Sequence, residues 1–170
     1  MYHPDKYGHH NNALEKFCNV FNEAAAKAGD LIFMKPSDVE NFREDGVIIY
    51  KPTGEIILYD FEKRFSYYDS CGSFKFDTFG QFERKIQKPE VTLSIQCSRD
   101  ERCFIIAWHE DYKKEKIVYL HSKTASGGTE NTGKRFTKDF IELSYAEMDK
   151  FYKIIEKAFN SDFNCQSFKI

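Results

Sequence analysis

The segment Asp45-Gly46-Val47-Ile48-Ile49-Tyr50, a turn at Thr53-Gly54, and Ile56-Ile57-Leu58-Tyr59-Asp60-Phe61-Glu62-Lys63-Arg64 constrains this chain most. Two short apolar runs joined by a tight turn predict a pair of adjacent strands. Asp45 opens the first strand, and Asp60 and Glu62 lie near the end of the second. Side chains alternate along a strand, so Asp60, Glu62 and Arg64 share one face and Lys63 takes the other. Carboxylates set side by side on one face repel each other. A divalent cation with oxygen ligands removes that cost. The competing reading is a solvated strand whose acids pair with Arg64, Lys63 or neighbouring bases, an arrangement that adds little stability.

The rest of the chain is long enough to give that strand pair a core. Its 170 residues suggest one domain over 1–170, and 41% hydrophobic with 16% aromatic content excludes disorder. A net charge of −2 argues against an overall basic field, while a basic patch on one face stays open. The five cysteines, Cys18, Cys71, Cys97, Cys103 and Cys165, contain no Cys-x-x-Cys pair. They read as incidental thiols of a reducing compartment and not as a zinc site. No apolar run approaches the roughly 18 residues of a membrane span, and no secretory leader is read. The expectation is a cytoplasmic protein without a membrane partner.

Residues 1–10 read as an irregular lead-in, and Leu14, Phe17, Cys18, Phe21, Ala24, Ala25 and Ala28 predict a helix over 12–28, closed by Gly29. Asn11 and Asn12 are its candidate caps. A short strand is expected at 31–34 and a loop or helical turn at 37–44. After the central strand pair, Phe79, Phe82 and Ile86 carry helical spacing within 76–87. Residues 91–97 and 103–108 read as a hairpin, 116–121 as a strand, 122–134 as a glycine-rich loop and 136–143 as a strand. Ser144-Tyr145-Ala146-Glu147 is a capping-box pattern opening a helix to about residue 159, before a polar tail over 160–170. This order gives an α/β or α+β sandwich: a central mixed sheet of about five or six strands flanked by helices.

An acid opening one strand and acids closing the next, in this order of elements, resembles the PD-(D/E)XK nuclease superfamily with its restriction-endonuclease-like fold. The resemblance covers roughly residues 12–110. That family's core is a helix, a three-stranded meander, a helix and a further strand. Glu44-Asp45-Gly46-Val47 matches its first motif without the proline. The second motif, an acid, any residue and lysine, has two registers here. Either Asp60 is the acid and Glu62 replaces the lysine, or Glu62 is the acid and Arg64 stands for it; the first register is preferred because Asp60 continues the apolar run directly.

The resemblance implies a metal-dependent nuclease that hydrolyses phosphodiester bonds in DNA with Mg²⁺ or Mn²⁺. Asp45, Asp60 and the Phe61 carbonyl would hold the ion, and Glu62 would orient water or hold a second ion. Lys63 or Arg64 would neutralise developing charge. Glu15 and Glu23 are candidates for an acid from the first helix, Glu23 lying nearer the helix end. Gln81 is the candidate polar residue from the following helix. A homodimer would supply the two sites needed to cut both strands. The alternative on the same fold is a non-catalytic accessory protein of phage or mobile-element type, binding nucleic acid or protein.

Other features are weaker. His109 ends a strand and reads as a hydrogen-bonded histidine more readily than as a base. Gly128 and Gly133-Lys134 fall short of a Walker sequence, because Arg135 replaces the required Ser or Thr. Lys134, Arg135 and Lys138 are instead candidates for contact with a nucleic-acid backbone. The basic cluster Arg84-Lys85-Lys88 reads as a solvated face. Tyr67-Tyr68 and Phe74-Phe76 are candidates for stacking on bases, with packing as the competing reading.

Overall fold

The computed structural model describes residues 4–38, 44–115, 117–121, 132–161 and 168–169. Helix α1 spans Pro4–Lys27. It therefore replaces the expected lead-in from residue 4 onward and takes Asn11 and Asn12 into its interior. Proline suits a first helical position, where its missing N–H has no partner to lose. The helix ends where Gly29 turns at φ +120° and the Asp30 N–H donates back to the Ala25 carbonyl at 2.8 Å.

Strands β1 (Ile32–Pro36), β2 (Gly46–Tyr50) and β3 (Glu55–Lys63) form an antiparallel meander. β4 (Phe79–Phe82) and the short α2 (Glu83–Ile86) then lead into β5 (Val91–Cys97), which runs parallel to β3. β6 (Cys103–Trp108) returns antiparallel to β5 and runs into α3 (His109–Glu115). β7 (Ile117–His121), β8 (Thr132–Thr137) and β9 (Ile141–Ser144) follow. A single turn, Tyr145–Glu147, opens α4 (Met148–Asn160). Glu147 Oε1 accepts the Ser144 N–H at 3.1 Å, as the capping-box pattern predicts.

The main sheet has the order β1-β2-β3-β5-β6-β9, and β10 (Phe168–Lys169) adds to β3 within the expected tail. β4, β8 and β7 make a second, three-stranded sheet. α1 and α4 cover one face of the main sheet, where Phe17, Phe21, Phe61, Phe104 and Phe151 are fully buried. The Phe17 and Phe104 rings meet edge-to-face at 4.9 Å. The opposite face buries Tyr68, Phe79, Ile86, Ile105 and Tyr112 among the described residues. Both faces of β3 and β5 are thus covered, and β5 is buried at every position.

Three expectations are corrected. The helix over 76–87 is a strand followed by one helical turn, because Phe79 and Gln81 alternate inward and pair with Thr137 and Arg135 of β8. That cross-chain ladder outweighs the local 3–4 spacing. The strand over 136–143 is divided between two sheets, with Thr137 Oγ1 accepting the Asp139 N–H at 3.0 Å in the turn. Residues 132–134, expected in a loop, belong to β8, whereas 122–131 lie outside the described residues.

The cysteines also differ from expectation. Cys71 and Cys103 form a disulfide, and Cys18 and Cys97 are free and buried. Cys165 lies outside the described residues. A pairing across 32 positions of sequence leaves no spacing signature. Among the described residues no helix is long and apolar enough to cross a membrane.

Candidate active site

Asp60 sits at the middle of the sheet, and its surroundings explain its chemistry. Period-two alternation sends Ile57, Tyr59 and Phe61 into the α1 core and turns Asp60 to the other face. Asp60 is 3% exposed, and its Oδ2 has no hydrogen-bond partner among the described residues. Burial, then the neighbouring Asp45 charge, lift its carboxyl, while Lys85, Lys88 and Arg84 oppose the lift; the net position is about 7.

Asp45 comes to Asp60 through the β2–β3 ladder. Its N–H donates to the Tyr59 carbonyl at 3.0 Å, and its Oδ2 accepts the Phe61 N–H at 2.8 Å. The acid is therefore clamped to the backbone on both sides of Asp60. Gly46 makes this approach feasible: a Cβ there would run into the Tyr59 ring and hydroxyl, and would lie 2.6 Å from the Lys35 carbonyl oxygen. The Tyr59 hydroxyl itself donates to that carbonyl at 3.0 Å.

The parallel neighbour β5 extends the polar face. Ser94 lies beside Asp60 and Gln96 beside Glu62. Ser94 Oγ accepts from Gln81 Nε2 at 3.2 Å and shares a hydrogen bond of 2.8 Å with His109 Nε2. Gln96 Oε1 accepts from Arg64 at 3.1 Å. His109 is buried at the start of α3, and burial holds the ring down near 3 against a smaller raising effect of the Val91 backbone. The imidazole is therefore neutral at physiological pH and serves as a fixed polar support for Ser94.

The candidates from the sequence divide clearly. Asp45, Asp60, Glu62 and Arg64 stand together on one face, and Gln81 joins them from β4 and not from a helix. Lys63 points the other way and meets Glu101 at 3.5 Å. Glu23 is exposed on α1, which lies across the sheet from Asp60. Arg135 is held by Glu83 through contacts of 3.2 and 2.9 Å, and Lys134 rests 5.5 Å above the Phe82 ring. Lys138 is exposed. Lys85 and Lys88, which read in sequence as part of a solvated basic face, act electrostatically on Asp60 once α2 is folded beside it.

Do these residues fit a cation? Among the described residues, no three or more His, Cys, Asp and Glu side chains converge on one point. The Asp45 and Asp60 carboxylates are near enough to interact electrostatically, and Asp60 carries a buried oxygen without a partner among the described residues. Magnesium keeps most of its water and binds through one or two carboxylates, so the pair Asp45–Asp60 fits it. Comparison with protein-family models, curated proteins and solved structures found no match for this chain.

Proposed function

We propose that this chain is a metal-dependent nuclease that hydrolyses phosphodiester bonds in DNA, on a restriction-endonuclease-like core. The observation that carries the reading is the Asp45–Asp60 pair, with the unpartnered buried oxygen of Asp60 and with Lys85 of α2 and Lys88 just beyond it acting on that carboxyl. The order helix, three-stranded meander, short strand β4 of the second sheet, helical turn and parallel strand supports it further. Asp45 and Asp60 would hold Mg²⁺ or Mn²⁺. The bound ion would polarise a phosphoryl oxygen and lower the pKa of a bound water.

The chain's own residues account for the remaining requirements. Lys85 makes no hydrogen bond or ion pair among the described residues, yet acts electrostatically on Asp60. With Lys88 it would draw in the phosphate and offset charge developing on it. These lysines occupy, in function, the place that Glu62 leaves vacant on β3. Glu62, half-buried on the same face, would orient water. Gln81, Ser94 and His109 keep the floor beneath Asp60 rigid.

A second reading, a non-catalytic nucleic-acid-binding accessory protein, is favoured by the deep burial of Asp60 and by Glu62 in the lysine position. The two separate on incubating folded protein with plasmid and single-stranded DNA in Mg²⁺, Mn²⁺ or EDTA. The nuclease gives metal-dependent products; binding without products under any metal supports the accessory protein. Replacing Lys85 and Lys88 together by Ala is expected to lower cleavage at least tenfold, about 1.4 kcal/mol in the barrier, with the melting temperature little changed.

A further inference from the structure

We infer that Tyr67 and Phe76 form a stacking platform for the unpaired bases of a nucleic-acid strand. The inference deepens the proposed function by naming single-stranded nucleic acid as what the surface beside that site takes. Large aromatic rings scattered singly on a surface need no explanation, but a cluster of them does. Tyr67 is 67% exposed, Phe76 51% and Phe65 41%. The Tyr67 and Phe76 rings meet edge-to-face at 5.7 Å, so they form one feature.

The backbone holds this feature in place against its own preference. Tyr67 has φ +65°, a left-handed conformation that a bulky side chain rarely adopts. Such an outlier persists only where the surroundings fix it. Here the Arg99 N–H donates to the Tyr68 carbonyl at 2.8 Å, and the Asp100 N–H to the Asp69 carbonyl at 3.1 Å. The Cys71–Cys103 disulfide ties the same loop to β6. Phe76 continues inward through Phe74 to the buried Phe79, at 5.5 and 6.1 Å between rings. The outer rings are therefore preorganised on a rigid aromatic base.

Placement and charge favour a nucleic acid over an apolar partner. The loop leaves the end of β3, and at about 3.3 Å per residue Phe65 lies at most roughly 17 Å along the chain from Asp60. The ring series Phe76–Phe74–Phe79–Tyr112–His109 runs back to Ser94, the neighbour of Asp60. Lys75 stands exposed between Phe74 and Phe76, while Lys63 Nζ, 5.8 Å from the Phe65 ring, is already paired with Glu101 at 3.5 Å. Nearby acids are engaged: Glu142 accepts from Gly72 N at 3.1 Å, Asp100 from Ser98 Oγ at 2.6 Å, and Asp69 meets Arg99 at 4.0 Å. Asp77 remains as an exposed acid of the loop. Exposed aromatic faces interleaved with cations bind single strands with little dependence on sequence.

Fluorescence anisotropy of a labelled mixed-sequence single strand, measured in EDTA, tests the platform apart from any hydrolysis. The full chain is expected to bind the single strand more tightly than the same sequence as a duplex. Tyr67→Ala and Phe76→Ala should each weaken binding roughly tenfold, the scale of one lost stack, whereas Tyr67→Phe should retain it. A strand with abasic sites in place of bases should bind as weakly as the Ala variants do to the intact strand. Equal affinity for the abasic strand would overturn the platform, since charge alone would then account for binding. Absence of binding by folded protein at low salt overturns it too, as does a self-association abolished by Tyr67→Ala. Ring-dependent binding without metal-dependent cleavage would leave the platform standing and the nuclease reading refuted.

Discussion

At the scale of the residue, Asp60 governs the pH behaviour. Its folded-state carboxyl sits near 7 against an ordinary 3.8. Because the folded value is raised, its contribution to stability is fully present below the unfolded value and is lost as pH rises through about 7. Asp60→Asn is therefore expected to stabilise the metal-free protein at pH about 8 by roughly 2–4 kcal/mol and to change little near pH about 4. Urea unfolding in EDTA at both pH values reads this directly; destabilisation at both would assign Asp60 a purely structural role. Metal should reverse the cost, so Mg²⁺ should raise the melting temperature more above pH 7 than below it. His109 acts in the opposite sense. Its folded value is lowered to about 3 from 6.5, so the stability linked to it is full above 6.5 and is lost as pH falls toward 3. Asp45, Asp60 and Glu62 were legible in the sequence because strand alternation is local. Ser94, His109 and Lys85 were not, since they reach Asp60 only through β5, α3 and α2.

At the scale of the element, the β2–β3 ladder positions the site, and Gly46 is its tightest point. Gly46→Ala would force a methyl group against Tyr59 and the Lys35 carbonyl. It is expected to lower stability by about 1–3 kcal/mol, as overpacking does, and to reduce metal affinity by displacing Asp45. Calorimetric Mg²⁺ titration beside thermal unfolding checks both; full metal affinity in the variant would show that Asp45 does not depend on this contact. The meander, the parallel strand and the capped final helix follow from patterns that local sequence carries. β4 does not: Phe79, Phe82 and Ile86 fit a helix equally well, and only pairing with β8 decides for a strand. The outer edge of β1 is closed in a way that sequence spacing does not reveal. Asn22 on α1 donates to the Met34 carbonyl at 2.8 Å and accepts its N–H at 2.9 Å, blunting an edge open to strand addition.

At the scale of the whole molecule, a two-sided sheet places the site in the interior of the fold. Length and composition allowed a core; the second sheet, which covers the Asp60 face, arises from strands far apart in sequence. The Cys71–Cys103 disulfide joins the aromatic loop to that face across 32 positions. Cys71→Ser is expected to cost about 3–4 kcal/mol by the loop-entropy relation, read as a lower urea midpoint than that of the oxidised wild type. An unchanged midpoint, or no thiol difference before and after reduction, would show that the pair does not form. The most direct test of the account as a whole is DNA cleavage by wild type and Asp60→Asn in Mg²⁺, with folding of both checked by circular dichroism. The account predicts metal-dependent products from the wild type and none from the folded variant. Cleavage that survives Asp60→Asn, or no cleavage by folded wild type under any divalent metal, would contradict it.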